Sequence, residues 1–204
     1  MKRLLGCWVS ALLLPLFCVA QPEECRTVRD VPYREAGDSL RDDPMCRLDL
    51  VCPAGAEGFP TVVWFHGGGL TGGRREIPEE LLAGGFAVAG VEYRLSPQTP
   101  VAGCLEDAAA AVAWVVRHIA SYGGDPELIF LAGHSAGGYL VSMLGLDKRW
   151  LAAQGLDPDR AVAAVIPYSG QAVTHFTRRA ELGMPAGQPL VDDMAPLFHV
   201  RADA

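Results

Sequence analysis

The sequence predicts an α/β fold with a mostly parallel central sheet flanked by helices, and three observations support that class. Continuous apolar runs of β-favouring residues recur at 61–65, 86–92 and 128–132, a pattern typical of strands buried on both faces of a parallel sheet. An alanine-rich amphipathic segment, 104–122, lies between the second and third runs. Glycines separate these segments. Strands and helices that alternate in this way form layers with right-handed crossovers.

Ahead of these elements the pattern predicts a β-hairpin. Residues 27–34 and 46–51 would form its strands, and the polar segment 35–45, which holds several turn-forming residues, would form its loop. A short helix is predicted over 76–83, between the first two buried strands. It has Pro78 in its first turn and a glycine pair at its end.

The second half of the chain continues the alternation. A helix-like run extends from Gly138 to Leu146, and residues 161–167 form another strand-like run. Residues 171–204 differ in character, because they are polar, contain several prolines and have no strong period. The pattern therefore does not define elements there.

Length and composition indicate one domain. The chain has 204 residues, of which 50% are hydrophobic, enough for a sizeable core. The net charge is −7, and no basic patch with interleaved aromatic residues points to nucleic acid. The acidic balance indicates solubility rather than a partner. Neither a Cys-x-x-Cys nor a His-x-x-x-His spacing occurs, so no metal site is predicted.

The first 20 residues have the layout of a secretory signal peptide. Lys2 and Arg3 give a positive start, residues 4–19 are apolar, and Ala20 is a small residue at the expected cleavage site. The apolar run contains a proline and is short for a membrane span. We therefore expect an exported protein, periplasmic or secreted, with no stable membrane anchor after cleavage and with residues 21–204 as its domain.

Cleavage at that site would leave four cysteines, and an even number in an exported chain allows disulfides with three connectivities: Cys25, Cys46, Cys52 and Cys104. Cys25 and Cys52 flank the predicted hairpin and would lie near each other if its register centres on the loop. Ordinary buried thiols are the alternative.

A glycine-rich motif, Gly133-His134-Ser135-Ala136-Gly137, stands between a predicted strand and a predicted helix. In that context Gly-x-Ser-x-Gly predicts a nucleophile elbow, a sharp turn that holds a strained serine at the top of a sheet. Glycines stand on either side because side chains there would collide with the neighbouring chain. A glycine-rich turn with a serine helix cap is the alternative.

A second motif, His66-Gly67-Gly68-Gly69, follows the first buried strand. Consecutive glycines let the backbone approach closely and direct N–H groups into a site. Such donors stabilise the oxyanion that forms when an ester is cleaved, by about 3–4 kcal/mol each. A flexible loop is the alternative. Two such loops, each after a strand, indicate an acyl-transfer site with Ser135 as nucleophile.

The two motifs together resemble those of the α/β-hydrolase fold, in its hormone-sensitive-lipase and acetyl-esterase-like branch. Segments between them resemble the same family: Glu92-Tyr93-Arg94-Leu95-Ser96-Pro97, the helix from Leu105 to Trp114, and Tyr122-Gly123-Gly124-Asp125-Pro126. The resemblance covers about residues 27–204. It implies a serine carboxylesterase-like hydrolase that cleaves a small-molecule ester through an acyl-enzyme, without a metal or an organic cofactor.

The resemblance also implies roles for the motif residues. Ser135 is the nucleophile, and the backbone N–H groups of Gly68, Gly69 and Ala136 form the oxyanion hole. The other motif residues have structural roles: His66, Gly67, Gly133, His134 and Gly137. Residues 171–204, after the sixth strand, would build part of a lid over the site.

In this fold the triad runs serine, acid, histidine, and a helix and a strand separate the acid from the histidine. The late acids and histidines are Asp192, Asp193, Asp203, His175 and His199. His175 precedes every late acid, and His199 follows the nearer two by only six or seven residues, too few for two elements. We therefore expect the acid and the histidine beyond Ala204, together with the last strands of the sheet. His118 is expected to be a surface or packing residue.

Two other functions stay open at this point. An amidase or formamidase would use the same oxyanion hole on the same scaffold. A pseudoenzyme or binding protein would keep the pocket without turnover, and it gains weight because two triad members are not visible. For the 204-residue chain alone we expect little or no hydrolysis.

Overall fold

The computed structural model describes residues 25–185 and 187–200, and these form one mostly parallel sheet with helices on its faces. The strands are β1 (Cys25–Pro32), β2 (Arg47–Pro53), β3 (Phe59–Phe65), β4 (Ala87–Val91), β5 (Gly124–His134) and β6 (Ala164–Tyr168). The helices are α1 (Val101–His118), α2 (Ala136–Leu146), α3 (Lys148–Ala153) and α4 (Phe176–Glu181). Single 3₁₀ segments cover Glu79–Gly84, Ile119–Tyr122 and Pro196–His199. The predicted α/β class is confirmed.

The strands lie in the order β1-β2-β4-β3-β5-β6. The first two pairs, β1 with β2 and β2 with β4, are antiparallel, and β4, β3, β5 and β6 run parallel to one another. At the carboxyl edge of the sheet Phe65 of β3 pairs with Gly133 of β5. The two loops that carry the glycine motifs therefore leave the sheet side by side.

Most of the core lies between the sheet and helices α1 and α2. Helix α1 follows Pro100, and a run of six residues from Ala108 to Ala113 is buried, because small side chains let the helix lie close to its neighbours. A smaller cluster covers the opposite face of the sheet and contains Val62, Trp64, Val88 and Ala132.

One charged group is buried within this core. Asp107, on α1, is completely buried and accepts hydrogen bonds from Arg94 Nε at 2.8 Å and Nη2 at 2.9 Å. It also forms an ion pair with Arg34, which follows β1. Two guanidinium groups thus compensate one buried carboxylate, and they link α1 to the hairpin and to the segment after β4.

Several predicted boundaries differ from those of the structure, and three examples follow. The helix expected over 76–83 is a 3₁₀ segment at Glu79–Gly84, because Pro78 has an extended backbone (ψ 124°) and stands ahead of the first turn. The long helix begins at Val101 rather than 104, after Pro100, and its last turn is 3₁₀. The strand expected at 161–167 begins at Ala164.

The predicted hairpin is confirmed as β1 and β2, and its register bears on the cysteines. Cys25 lies opposite Pro53, whereas Cys52 lies opposite Arg26, so the two cysteines are offset by one residue. The side chain of Cys25 lies outside the described residues, and its pairing with Cys52 stays a prediction. The segment 1–20 also lies outside them.

Two cysteines in the described part of the chain are buried thiols. Cys46 and Cys104 are both fully buried. Burial raises the pKa of the Cys104 thiol to about 12, and the charge of Asp107 adds to that shift. Cys46 has its pKa raised for the same two reasons, and these thiols are therefore protonated at neutral pH.

Candidate active site

Ser135 stands at the apex of a strained turn between β5 and α2. Its backbone has φ 55° and ψ −111°, a conformation that a non-glycine residue adopts only when the surrounding structure imposes it. The Ser135 N–H donates to the Tyr168 carbonyl at 2.8 Å, and its carbonyl accepts from the Tyr139 N–H at 3.0 Å. Ser135 is the N-cap of α2, yet its side chain makes no capping hydrogen bond. The capping alternative is therefore wrong.

The glycines on either side of Ser135 are required by close backbone approaches. A Cβ atom at Gly133 would lie 2.6 Å from the carbonyl carbon of Gly137. A Cβ atom at Gly137 would lie 2.6 Å from the carbonyl carbon of Phe65, at the end of β3. Both obstacles are backbone atoms, so rotation of a side chain could not relieve either collision.

The second glycine motif adjoins this turn. A Cβ atom built on Gly67 would lie 3.5 Å from the Ser135 Cβ atom, which places the loop directly beside the serine. Gly68 and Gly69 have φ values of 112° and 67°, and Leu70 continues the run with 60°. Glycine adopts such positive φ values without steric cost, whereas Leu70 adopts one as a non-glycine residue.

His66 anchors the beginning of this loop. It is buried, its Nδ1 lies 2.6 Å from the Gly67 carbonyl oxygen, and its Nε2 lies 3.2 Å from Glu92 Oε1. The ring stacks on Tyr93 with 4.3 Å between centroids, and the Tyr93 hydroxyl donates to the His66 carbonyl at 2.8 Å. Glu92 Oε2 also accepts from the Arg75 N–H at 3.1 Å. These contacts fix the beginning of the glycine loop.

His134 lies beside the same glycine loop, because a Cβ atom built on Gly67 would lie 3.3 Å from its Nδ1. Its side chain is exposed and borders an open cavity of about 510 Å³. The cavity is also lined by Trp64, Glu76, Pro78, Glu80, Leu81 and Tyr168. Among the residues that the structure describes, no group of three or more His, Cys, Asp or Glu side chains could hold a metal ion. Nor does any described helix have the length and apolar character needed to cross a membrane.

The late histidines and acids do not form a triad. His199 Nε2 contacts the Asp193 carbonyl at 2.9 Å and Asp147 Oδ2 at 3.5 Å. Asp192 Oδ1 accepts from the Thr174 hydroxyl at 2.6 Å. Asp203 lies outside the described residues.

Asp147 is an acid that sequence reasoning missed. Burial acts to raise the pKa of its carboxyl, but hydrogen bonds from Arg149 and the charge of His199 outweigh burial, so the pKa is lowered. Its nearest partner, Arg149, holds it with Nη2 at 2.8 Å from Oδ2. This group is a structural ion pair at the start of α3.

The other histidines have partners away from Ser135. His118 Nδ1 lies 2.7 Å from the Trp114 carbonyl, and the two rings stack, in agreement with a packing role. His175 is fully buried, and its Nδ1 accepts from the Thr177 N–H at 3.2 Å. Within residues 25–185 and 187–200, no histidine is hydrogen-bonded to the Ser135 side chain.

Residues 171–200, for which the pattern defined no elements, contain α4 and a 3₁₀ segment and pack against the site. The Thr177 hydroxyl donates to the Gly69 carbonyl, and the Phe176 ring lies against the Gly69 Cα. The Tyr139 hydroxyl, on α2, donates to the Met194 carbonyl at 2.7 Å. Sequence reasoning missed these partners because each lies far along the chain from the group it contacts.

Comparison with known proteins agrees with this geometry. The BD-FAE family model matches residues 48–180. A probable carboxylic ester hydrolase, LipM of Mycobacterium tuberculosis, is 31% identical over 200 residues, which cover 86% of this chain and 45% of that protein. Esterase LipQ of the same organism is 32% identical over 164 residues, 76% of this chain and 38% of LipQ. The chain thus spans less than half the length of these relatives.

Solved structures give the same result. An inhibitor-bound esterase B from Lactobacillus rhamnosis superposes with a TM-score of 0.56 at 28% identity, over 74% of this chain and 48% of that one. A bacterial heroin esterase superposes with a TM-score of 0.56 at 26% identity, over 86% of this chain and 53% of that one. With its sheet order, its serine elbow and the match over residues 48–180, the chain belongs to the BD-FAE family and has the α/β-hydrolase fold.

Proposed function

We propose that this protein is a carboxylic-ester hydrolase that acts through Ser135 and an acyl-enzyme. The observation that carries the proposal is the backbone of Ser135, held at φ 55° and ψ −111° without a capping role and beside the loop at Gly67. Strain of this kind is kept where function needs it. The esterase names of the relatives support the same reaction class.

The oxyanion of the tetrahedral intermediate would be bound by backbone N–H groups. Ala136 is the first residue of α2, where an N–H has no carbonyl one turn back, and the helix dipole adds positive potential there. Gly68 and Gly69 would supply further donors from the adjoining loop. Each donor is worth about 3 kcal/mol of transition-state stabilisation.

The base that activates Ser135 is proposed to lie outside the described residues. All five histidines of the chain are described: four of them have other partners, and His134, which borders the cavity, makes no hydrogen bond to the Ser135 side chain. We therefore propose that the acid and the histidine come from the remainder of the coding sequence. Residues 1–204 alone should then turn over esters slowly.

The test uses protein expressed from the complete coding sequence and p-nitrophenyl acetate as substrate. Ser135→Ala should abolish turnover, while Ser121→Ala, a hydroxyl variant in the 3₁₀ segment that follows α1, should leave it unchanged. Activity that survives Ser135→Ala would contradict the proposal. The matched p-nitroanilide addresses the alternative, since faster cleavage of the anilide would favour an amidase or formamidase, and inertness to both would favour a pseudoenzyme.

Export and partners complete the proposal. The layout of residues 1–20 supports secretion or periplasmic location with no stable membrane anchor after cleavage, and the partner would be a small-molecule ester rather than nucleic acid. The mass of the mature protein tests it, because cleavage after Ala20 leaves Gln21 as the first residue. A mature protein that still begins at Met1 would contradict export by this route.

A further inference from the structure

We propose that Thr177 is a positioning residue for the oxyanion hole, because its side chain holds the carbonyl of Gly69. The Thr177 hydroxyl donates to that carbonyl across 108 positions of sequence, and Thr177 itself is 5% exposed. The inference rests on the proposed function, in which the N–H of Gly69 is one of the oxyanion donors.

The loop needs such a restraint because glycine has no intrinsic preference for one conformation. The Gly68 carbonyl accepts from the N–H groups of Thr71 and Gly72, both within the loop. The Gly69 carbonyl is instead held from outside, by Thr177. The Gly69 N–H lies in the same planar peptide as the Gly68 carbonyl, and Thr177 holds the next peptide, Gly69–Leu70. With the peptides on both sides of Gly69 held, its N–H keeps its direction before substrate arrives, which is how preorganised donors act.

Thr177 is itself fixed to the nucleophile helix. Its N–H is bonded to His175 Nδ1 at 3.2 Å, and the His175 ring lies 5.0 Å from the ring of Tyr139. Tyr139 follows Ser135 by one helical turn and donates its N–H to the Ser135 carbonyl. A continuous chain of contacts therefore joins the serine to the glycine loop through the start of α4.

A second contact acts on the same glycine. A Cβ atom on Gly69 would lie 2.9 Å from Cζ of Phe176, so this ring already rests against the Gly69 Cα. The ring limits movement of the glycine in one direction, and the Thr177 hydrogen bond limits rotation of the peptide that follows it. Loss of the Thr177 hydroxyl should leave the Phe176 ring in place and should only allow the peptide after Gly69 to rotate.

The test compares Thr177→Val, which keeps the shape and removes the hydroxyl, with Thr177→Ser, which keeps the hydroxyl. In protein from the complete coding sequence, Thr177→Val should lower kcat for p-nitrophenyl acetate by about tenfold with little change in KM, since a misdirected donor acts on the transition state. Thr177→Ser should stay within about twofold of wild type by the same argument. Ser121→Ala, which also removes a hydroxyl-to-carbonyl bond, is the control.

Inhibition by a trifluoromethyl ketone separates positioning from a general structural effect. Ser135 Oγ adds to its carbonyl carbon, the π electrons move to the oxygen, and the hydroxyl proton passes to the base, so the alkoxide occupies the oxyanion hole. Thr177→Val should weaken this inhibition by about the same factor as kcat, because both report transition-state contacts. Thermal midpoints of all variants are measured in parallel.

The outcomes are distinct. Hydrolysis that survives Ser135→Ala overturns the proposed function. Hydrolysis that is lost in Ser135→Ala but unchanged in Thr177→Val overturns only the role of Thr177. Equal losses in Thr177→Val and Thr177→Ser also overturn it, because packing rather than the hydroxyl would then matter. If Thr177→Val does not fold, Thr177→Ala is compared with Thr177→Ser under the same criteria.

Discussion

Replacing Glu92 by methionine and by glutamine separates two roles for this residue beneath the glycine loop. Glu92 is buried, and its carboxyl contacts His66 Nε2 at 3.2 Å and the Arg75 N–H at 3.1 Å. His66 Nδ1 faces the Gly67 carbonyl, which only accepts, so Nδ1 carries a proton. The question is whether the site needs the charge of Glu92 or only its hydrogen bonds.

Glutamine can satisfy every group without a charge. Its amide NH₂ would donate to His66 Nε2 in the neutral ring, and its amide oxygen would accept from the Arg75 N–H. Methionine has a similar length and can do neither. It leaves two polar groups unpaired, at about 1–3 kcal/mol each, so Glu92→Met should lose about 2–6 kcal/mol of unfolding free energy. Glu92→Gln should lose less than about 1 kcal/mol, because no group is orphaned.

Urea unfolding at pH 7, followed by tryptophan fluorescence, measures both variants, and equal slopes of free energy against urea would show that the same transition is compared. A glutamine variant as unstable as the methionine variant would refute the hydrogen-bond reasoning. It would mean that the His66–Glu92 pair stabilises the loop by charge.

Three further predictions concern stability. Gly137→Ala should lose at least about 2 kcal/mol or fail to fold, because its Cβ would collide with the Phe65 carbonyl, whereas Gly187→Ala, with open space around it, should be neutral in the same urea titration. Asp107→Asn should lose about 3–5 kcal/mol, since it leaves Arg34 and Arg94 without their buried counter-charge, and a loss below about 1 kcal/mol would contradict that account. Burial, together with the charge of Arg179, lowers the pKa of His175 from 6.5 to about 4. As the pH falls, this histidine is therefore protonated in the unfolded chain before it is protonated in the folded one. The free energy of unfolding should fall between about pH 6.5 and about pH 4, by up to about 3 kcal/mol. His175→Asn, which keeps a capping side chain, should remove most of this dependence of unfolding free energy on pH, as measured by urea titrations at several pH values. An unchanged dependence on pH would show that His175 is not responsible.

The sequence predicted the features that depend on neighbouring residues. The elbow at Ser135 and the bend at Gly68 follow from short glycine patterns that only certain backbone conformations satisfy. The buried parallel strands follow from their continuous apolar runs. The error at 76–83 arose because Pro78 fits either the first turn of a helix or the extended residue before one.

What the sequence did not predict depends on distant partners. Glu92 stood in a motif that resembled the family, but its bond to His66 spans 26 positions. Thr177 and Gly69 are 108 positions apart, and the residues around Thr177 show no period. Their arrangement depends on tertiary contacts such as Tyr139 with Met194, which no local pattern encodes.

The most direct test of the central claim is covalent labelling of the serine. Protein from the complete coding sequence is treated with a fluorophosphonate, and the labelled peptide is identified by mass spectrometry. One adduct on Ser135, absent from Ser135→Ala and unchanged in Ser142→Ala, is the predicted result, because only a serine with an activating base and an oxyanion hole reacts quickly. No adduct, or an adduct on another serine, would contradict the assignment of Ser135 as the nucleophile.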